Sequence, residues 1–274
     1  MRKNDLMQIL LGFFFAILIA FLAHRAHSLD RSGAVAATIV GTVIFGVGGL
    51  SWAILLLTFF ITSSALSRAF KQRKAGLNEK FSKGHERDAG QVFGNGGVAT
   101  LFAALHGLYP EAVWPWIGFA AALAAVNADT WATELGVLNP SAPRLLTDLR
   151  KPVEKGTSGG VSLWGTAAAL LGAAVIALPA VLLSGNFSLN VSHFFLITFA
   201  GLAGSLFDSL LGATTQAIYY CPTCQKETER HPLHTCGTQT EQIRSWNWLD
   251  NDWVNFACGA TGVAVAGAGM LLLL

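Results

Sequence analysis

Eight apolar stretches, separated by short polar segments, follow one another along this chain of 274 residues. They are residues 6–23, 34–50, 52–66, 98–108, 112–126, 162–183, 193–218 and 253–274. A transmembrane helix needs about 20 apolar residues, because it rises about 1.5 Å per residue and the hydrocarbon core is about 30 Å thick. Most of the stretches come close to that length. The pattern therefore predicts an all-α integral membrane protein with about seven or eight transmembrane helices.

Some of the predicted helices are short. Residues 98–108 are too few to cross the hydrocarbon core, so with residues 112–126 they are expected to form short membrane helices or a re-entrant pair. The continuous apolar sequence 34–66 is too long for one crossing and just long enough for two short ones, with glycines at 48–49 between them. We predict one polytopic membrane domain over residues 1–274.

Composition supports a membrane protein. Hydrophobic residues make up 53% of the chain, charged residues only 12%, and the mean hydropathy is +0.50. Soluble domains usually carry about 25% charged residues. The 29 glycines are spread through the apolar stretches, where small residues allow helices to pack closely.

The basic residues lie mostly on one side of the predicted bundle. Of the 18 Lys and Arg residues, 16 fall in residues 24–33, 68–96, 127–157 and 221–250. With eight segments these loops share one face, and the positive-inside rule makes that face cytoplasmic. The most polar loop, residues 68–88, is expected to contact anionic lipid head groups or to gather a phosphorylated substrate. We expect the protein in the plasma (inner) membrane of a prokaryote.

Three carboxylates, Asp129, Glu134 and Asp208, lie inside or at the edge of apolar stretches. A charge at bilayer depth costs roughly 2.5–3.5 kcal/mol on insertion scales, so these residues are candidates for a functional site. Such carboxylates need a cation, and Mg²⁺ with a substrate phosphate is a common partner. Thr215 and Gln216 continue the polar face of Asp208. The alternative for Asp208 is a structural hydrogen bond between helices.

Asp129 and Glu134 are five positions apart, about 140° around an ideal helix. They would converge on one ion only if the helix begins or breaks between them. The alternative is that one of the two acids is structural, for example through a hydrogen bond to Trp131.

A glycine-rich turn, residues 155–160, precedes the apolar stretch that starts at Ser162. Such a turn at the start of a helix offers backbone N–H groups and the positive end of the helix dipole to an anion, and Lys155 adds a charge. Its spacing differs from that of a Walker A motif. The alternative is a simple helix start capped by Ser158 or Ser162. A second glycine-rich turn is predicted at residues 94–97, on the same face.

The last apolar stretch also begins with polar residues. Asn251 and Asn255 are one helical turn apart and are expected to face the same site as Asp208. The alternative is that this segment only starts a helix, with Asp250 or Asp252 as its N-cap.

A polar segment with cysteines and histidines, residues 221–250, is predicted to form an inserted cytoplasmic loop. The expected Zn²⁺ ligands are Cys221, Cys224, His234 and Cys236. These are the ligand types of a closed tetrahedral site, which would be structural. His231 competes with His234 for the nitrogen position. A redox pair is the alternative for the two cysteines in C-x₂-C spacing.

Five motifs in this order resemble a known membrane family. They are Asn-Gly-Gly at 95–97, Ala-Asp-Thr-Trp-Ala-Thr-Glu at 128–134, Lys-Gly-Thr-Ser-Gly-Gly-Val-Ser at 155–162, Gly-Ser-Leu-Phe-Asp-Ser-Leu-Leu-Gly-Ala-Thr-Thr-Gln at 204–216 and Asn-Asp-Trp-Val-Asn at 251–255. The family resembled is that of plant phytyl-phosphate kinase and animal transmembrane protein 19. The Cys/His loop is similar to an insertion in its prokaryotic members.

The resemblance implies a kinase that transfers the γ-phosphate of CTP or ATP to an isoprenoid monophosphate, with Mg²⁺ as cofactor. The catalytic residues would be Asp129, Glu134, Asp208 and Lys155, and the three carboxylates would bind Mg²⁺. The residues expected to bind phosphate or nucleotide are Asn95, Gly96, Asn127, Thr157, Ser158, Gly159, Gly160, Ser209, Thr215, Gln216, Asn251, Asp252 and Asn255. The bilayer is the other expected partner, and no nucleic acid is expected.

Two other functions remain open from the residues. Intramembrane acids and short, glycine-broken segments are also found in transporters, so a transporter or flippase for a lipid-linked or anionic solute is the main alternative. That alternative predicts inverted repeats and acids near the bilayer midplane. A lipid-binding scaffold is the third, and it leaves the buried acids unexplained.

Overall fold

The computed structural model describes residues 3–70, 86–185 and 187–273. Most of the basic loop 68–88 lies outside the described residues. The helices are α1 Lys3–Arg25, α2 Arg31–Val43, α3 Leu50–Ala69, α4 Ala89–Leu108, α5 Trp114–Gly136, α6 Leu163–Leu182, α7 Val191–Thr214 and α8 Asn251–Leu273, and the strands are β1 Arg144–Leu145, β2 Asp148–Pro152, β3 Gly160–Val161, β4 Ile218–Cys221, β5 Lys226–Thr228 and β6 Glu241–Arg244.

The structure confirms the predicted all-α membrane fold. Six of the described helices are long and apolar enough to cross a membrane: α1, α2 with the π-helical turn that follows it, α3, α6, α7 and α8. The other two, α4 and α5, contain 20 and 23 residues. At about 1.5 Å per residue, each of these is also long enough to cross the hydrocarbon core.

Helix α4 is longer than its apolar stretch, residues 98–108. It begins at Ala89 because Asp88 caps it: the Asp88 carboxylate accepts from the Gln91 backbone N–H at 2.9 Å, and the Gln91 side chain accepts from the Asp88 N–H at 3.2 Å.

Residues 98–108 are therefore the second half of a full-length helix and not a short one. The expectation of a segment too short to cross is therefore wrong. The first half of the helix contains polar residues, so the apolar pattern did not reveal it. The prediction of a turn at residues 94–97 is wrong, because these residues lie inside the same continuous helix, where Gly94 and Gly96 are buried.

The continuous apolar sequence 34–66 divides into two helices, as expected. A π-helical turn, Ile44–Gly48, follows α2, and α3 starts at Leu50. The residue between them, Gly49, has a φ of +82°. Side chains disfavour this left-handed backbone, so glycine is the residue that allows the chain to reverse here.

Helix α5 lies at the centre of the bundle. Residues 115–128 are all buried, and the helix packs against α3, α4, α6, α7 and α8. Glycines on the neighbouring helices make this packing close. A Cβ atom added to Gly204 of α7 would lie 2.5 Å from the Cβ of Ala125 and 2.6 Å from the carbonyl oxygen of Cys258 in α8. These distances leave no room for a side chain where the three helices meet.

Two small antiparallel sheets follow α5 and α7. Their strand orders are β2-β1-β3 and β5-β4-β6. The sequence pattern did not predict these strands, because each is only two to five residues long. The second sheet lies in the segment expected to be the Cys/His loop, residues 221–250, and starts slightly earlier, at Ile218.

Consecutive helices alternate in direction, so the polar connections expected on one face meet at one end of the bundle. The connections before α2 and α4 pair there: the Arg87 N–H donates to the Ser28 carbonyl, and the Asp30 N–H donates to the Arg87 carbonyl, both at 3.0 Å. At the same end, the Lys155 ammonium donates to the Val137 carbonyl at 3.1 Å.

Replacing Gly204 by Ala should destabilise the protein by roughly 1–3 kcal/mol, because the added methyl overlaps α5 and α8. Gly267→Ala is the matched control, since nothing lies within 4 Å of a Cβ at that position of α8. Thermal unfolding in detergent should show a lower midpoint for Gly204→Ala and an unchanged or slightly higher one for Gly267→Ala. Equal midpoints for the two variants would contradict the close packing around α5.

Candidate functional site

A cavity of about 300 Å³ opens at the end of the bundle where the polar connections meet. Its walls come from α3, α4, α5, α6, α7 and α8 and from both small sheets. The expected site residues that line it are Asn95, Asp129, Glu134, Lys155, Thr157, Ser158, Gly159, Gly160, Asp208, Ser209, Gln216, Asn251 and Asn255. The fold thus gathers polar residues from distant parts of the sequence into one cavity.

Four of the expected residues do not line this cavity. Asn127 is fully buried and joins two helices: its amide nitrogen donates to the Gly172 carbonyl at 2.7 Å, and its oxygen accepts from Thr62 at 3.2 Å. Gly96 lines a separate apolar groove. Thr215 lies at the C-terminal end of α7, and Asp252 in the first turn of α8.

Three carboxylates form an acidic cluster in the cavity: Asp129, Asp208 and Glu229. The charges of all three act on one another, and Asp129 also accepts a hydrogen bond from Ser205. One oxygen of Asp208, Oδ2, is buried and has no hydrogen-bond partner among the described residues. Like charges in a buried site repel strongly, so this cluster favours either a cation or a proton.

Glu229 is the member of the acidic cluster that the sequence did not predict. It follows β5 in the Cys/His segment, and its Oε1 accepts from Ser158 at 2.6 Å and from the Gln216 amide at 2.9 Å. In the sequence, a glutamate in a polar loop gives no indication that its side chain lies in a cavity. The only hint in the sequence was its place a few residues after the C-x₂-C pair.

Glu134 lies in the same cavity but meets other partners. Its Oε1 accepts from Ser67 of α3 at 2.7 Å, and it interacts electrostatically with Arg87. Burial lowers the pKa of Arg87 to about 10, and the charge of Glu134 opposes that shift. Helix α5 does not break between Asp129 and Glu134. The two carboxylates therefore face different walls, as their angular separation on an ideal helix requires.

The glycine-rich turn is held against the end of α7. Gly159 has a φ of +82°, and a Cβ there would lie 2.4 Å from the backbone nitrogen of Ala213. A glycine is therefore required at this position. The turn leads into α6, whose N-cap is Ser162: its Oγ accepts from the Gly165 N–H at 3.1 Å. Ser162 is therefore the cap that the alternative interpretation expected, and the turn also lines the cavity.

Helix α8 begins in the same way. The carboxylate of Asp250 accepts from the N–H groups of Asp252 and Trp253 at 3.0 and 3.2 Å. Asp250 is therefore the cap that the alternative interpretation of this segment expected. Asn251 and Asn255, one turn apart, nevertheless line the cavity.

Four side chains of the second sheet form a Cys₃His cluster. Within the described residues, Cys221, Cys224, His234 and Cys236 are the one group of possible metal ligands whose donor atoms all lie within 4.8 Å of one another. The sulfurs of Cys221 and Cys236 are 3.6 Å apart. Two sulfurs of a tetrahedral zinc site lie about 3.8 Å apart, given Zn–S bonds of about 2.3 Å. The cluster therefore has a geometry that could hold zinc.

The position of His231 resolves the choice of nitrogen ligand. Its ring stacks on that of Tyr219, with 4.6 Å between the ring centroids. His234 instead points Nδ1 at the sulfur of Cys236, 3.3 Å away. His234 is therefore the histidine of the cluster, as predicted.

The Cys₃His cluster is joined to the cavity through its sheet. Strand β5, which carries Thr228, runs directly from the cluster to Glu229. On the other edge, Arg244 of β6 donates to the carbonyl oxygens of Gly212 and Ala213 at 2.6 and 3.3 Å. A cation at the C-terminal end of α7 is favourable for the helix dipole. The sheet is thus fixed to the helix that carries Asp208.

Comparison with known proteins places the chain among integral membrane proteins. The profile of the family described as "Integral membrane protein DUF92" matches residues 14–263. The chain is 34% identical to Protein PGR of Arabidopsis thaliana, over 93% of this chain and 94% of that protein. It is 36% identical to an uncharacterized membrane protein of Methanocaldococcus jannaschii, over 76% of this chain and 85% of that protein.

A third relative is an uncharacterized membrane protein of Synechocystis, which is 29% identical over 84% of this chain and 78% of that protein. No solved structure matches the chain at a significant level.

Replacing His234 by Ala should abolish stoichiometric zinc binding, because it removes one of four ligands. His231→Ala is the matched control and should retain about one zinc ion per chain, since His231 stacks outside the cluster. Elemental analysis of both variants, purified without added metal, provides the measurement. Equal zinc content in the two variants, or none in the unaltered protein after growth with zinc, would contradict the assignment.

Proposed function

The chain belongs to the DUF92 family of integral membrane proteins, and we propose that it is a kinase for an isoprenoid monophosphate. In this proposal it transfers the γ-phosphate of CTP or ATP to that substrate and releases an isoprenoid diphosphate. The observation that carries the proposal is the cavity itself, in which an acidic cluster faces a glycine-rich turn at a helix start. Both features suit phosphate groups bound together with a divalent cation.

The acidic cluster fits Mg²⁺ in its chemistry. Asp208 carries a buried oxygen without a hydrogen-bond partner among the described residues, and the charges of Asp129 and Glu229 act on it. Mg²⁺ usually keeps several waters and is held by one or two carboxylates plus substrate phosphates. One or two members of the acidic cluster, together with the donor phosphates, would therefore be enough to hold the ion.

Each wall of the cavity has a distinct part in the proposed reaction. Asp129, Asp208 and Glu229 would hold Mg²⁺, which when bound neutralises charge on the donor phosphates. Lys155 and the N–H groups at the start of α6 would bind phosphate oxygens. Arg87, which also lines the cavity, would hold the acceptor phosphate, because a guanidinium matches phosphate geometry in two hydrogen bonds.

The transfer itself needs little acid–base catalysis from the protein. The acceptor phosphate has a second pKa of about 6, so near pH 7 it is mostly a dianion and needs no strong general base. One of its oxygens attacks the γ-phosphorus, and the bond from that phosphorus to its bridging oxygen breaks. The nucleoside diphosphate leaves with the bonding electrons. Positioning and charge neutralisation supply most of the catalysis in such reactions.

The depth of the acids favours an enzyme over a transporter. Asp129 lies seven residues from the C-terminal end of α5, and Asp208 six residues from that of α7. At about 1.5 Å per residue, both lie about 10 Å inside the end of the bundle. A site at that depth can take a head group from the interface and a nucleotide from water. Since 16 of the 18 Lys and Arg residues fall in the sequence ranges 24–33, 68–96, 127–157 and 221–250, we propose that this end faces the cytoplasm.

The proposal is tested by transfer of radiolabelled γ-phosphate. Purified protein should convert C10, C15 or C20 isoprenoid monophosphates to diphosphates with CTP or ATP and Mg²⁺. Asp208→Asn should lower kcat by roughly 10² or more, since it removes charge that stabilises the reacting phosphates. Asp148→Asn is the matched control, because Asp148 is exposed on β2 and does not line the cavity.

Two outcomes would overturn the kinase. One is the absence of product with every donor and acceptor, from protein whose thermal unfolding is cooperative. The other is product whose rate is the same for Asp208→Asn and Asp148→Asn. Flux of anionic solutes into liposomes containing the protein would then support the transporter.

Glu229→Gln should raise the Mg²⁺ concentration needed for half-maximal activity by roughly tenfold, the equivalent of about 1.4 kcal/mol. The reason is that the change removes one negative charge from the acidic cluster while keeping the shape of the side chain. Glu227→Gln is the matched control, because Glu227 lies on β5, two residues before Glu229, and its side chain is exposed. If the two variants depend on Mg²⁺ concentration in the same way, Glu229 does not contribute to the metal site.

A further inference from the structure

A second cavity, of about 270 Å³, lies between α1, α2, α3 and α4. We call it the apolar groove. Its walls are almost entirely hydrocarbon and include Phe15, Ile19, Ala37, Phe45, Leu56 and Phe60. None of these residues takes part in the acidic cluster or the glycine-rich turn, so the proposed phosphate chemistry does not account for the groove.

The apolar groove and the polar cavity share one wall. Arg87, Gln91 and Asn95 line both of them. These three residues lie just before and within the first two turns of α4, at the end of the bundle where the acids lie. A hydrocarbon space thus ends where a phosphate-binding space begins. This is the shape of a site for a molecule with an apolar chain and an anionic head.

Arg87 is placed at the junction of the two spaces. Its guanidinium donates to Ser63 Oγ at 2.9 Å and lies over the rings of Phe59 and Phe60, 5.5 and 5.7 Å from their centroids. Phe59 and Phe60 themselves line the groove. The cation therefore contacts the apolar walls with its faces, and it also interacts with Glu134 in the polar cavity.

We propose that the apolar groove binds the hydrocarbon chain of a single-chain amphiphilic phosphate, whose head group contacts Arg87. The inference rests on the proposed function and names the part of the protein that selects the acceptor. In this proposal the groove of about 270 Å³ takes one hydrocarbon chain and has no place for the second chain of a phospholipid. Exposed residues at its rim, such as Phe15 and Leu50, allow the end of a long chain to continue into the bilayer.

Photocrosslinking tests the groove without any transfer reaction. The probe is a C20 isoprenoid monophosphate with a diazirine midway along its chain, added to the purified protein in nanodiscs. Mass spectrometry should place the crosslinks on α1, α2 and α3. Unlabelled C20 monophosphate should displace the probe, whereas the C20 alcohol, inorganic phosphate and two-chain phosphatidic acid at the same concentration should not.

Ala37→Phe and Ala53→Phe fill the groove from two different helices and should each reduce crosslinking at least tenfold. Ala167→Phe is the matched control, because Ala167 is exposed on α6 and does not line the groove. A thermal midpoint within a few degrees of the unaltered protein confirms that each variant is folded.

Each result has a separate meaning for the two proposals. Crosslinks on helices that do not line the groove, α5 to α8, or equal crosslinking in Ala37→Phe, Ala53→Phe and Ala167→Phe, would overturn the groove. Displacement by phosphatidic acid as readily as by the C20 monophosphate would make it a general lipid site and also overturn the inference. Specific crosslinking in a protein that transfers no phosphate would support the proposed groove and contradict the proposed kinase activity.

Discussion

Close packing around α5 determines where the acids of this protein lie. Gly201 of α7 and Gly262 of α8 bring these helices to within backbone contact of α5, so Asp129 and Asp208 are held in fixed positions inside an apolar bundle. Carboxylates at that depth are unfavourable unless a cation or proton compensates them. The same packing that stabilises the fold therefore creates a site that requires a positively charged ligand.

The second small sheet extends this site beyond the helices. At one edge of this sheet, Arg244 donates to a backbone carbonyl at the end of α7. The sheet also carries the Cys₃His cluster, and Glu229, which follows β5, lies in the cavity with the other acids. The loop that looked like a separate structural insertion thus completes the cavity. Arg87 lines both the polar cavity and the apolar groove. Together these parts form one interfacial site with an aqueous and a hydrocarbon side.

The site residues that could be predicted from the sequence are those that interrupt a strong hydrophobic pattern or have a distinctive composition. Asp129 and Asp208 interrupt apolar stretches, and the turn at 155–160 has a composition suited to anions, so all were expected at the site. Glu229 was missed because an acid in a polar loop breaks no pattern, and its burial depends on tertiary contacts. Asn127 was expected in the cavity because it lies two positions before Asp129 in the sequence. Its side chain instead forms hydrogen bonds with α3 and α6.

The most direct test of the central claim is electron paramagnetic resonance of Mn²⁺, used in place of Mg²⁺, with the purified protein and a non-hydrolysable CTP or ATP analogue. The bound ion is expected to show hyperfine coupling to the phosphorus of the analogue, and this coupling should be lost when Asp208 is replaced by Asn. Binding of nucleotide without coupled Mn²⁺, or coupling that survives Asp208→Asn, would contradict the claim that the acidic cluster holds the cation of a phosphoryl donor.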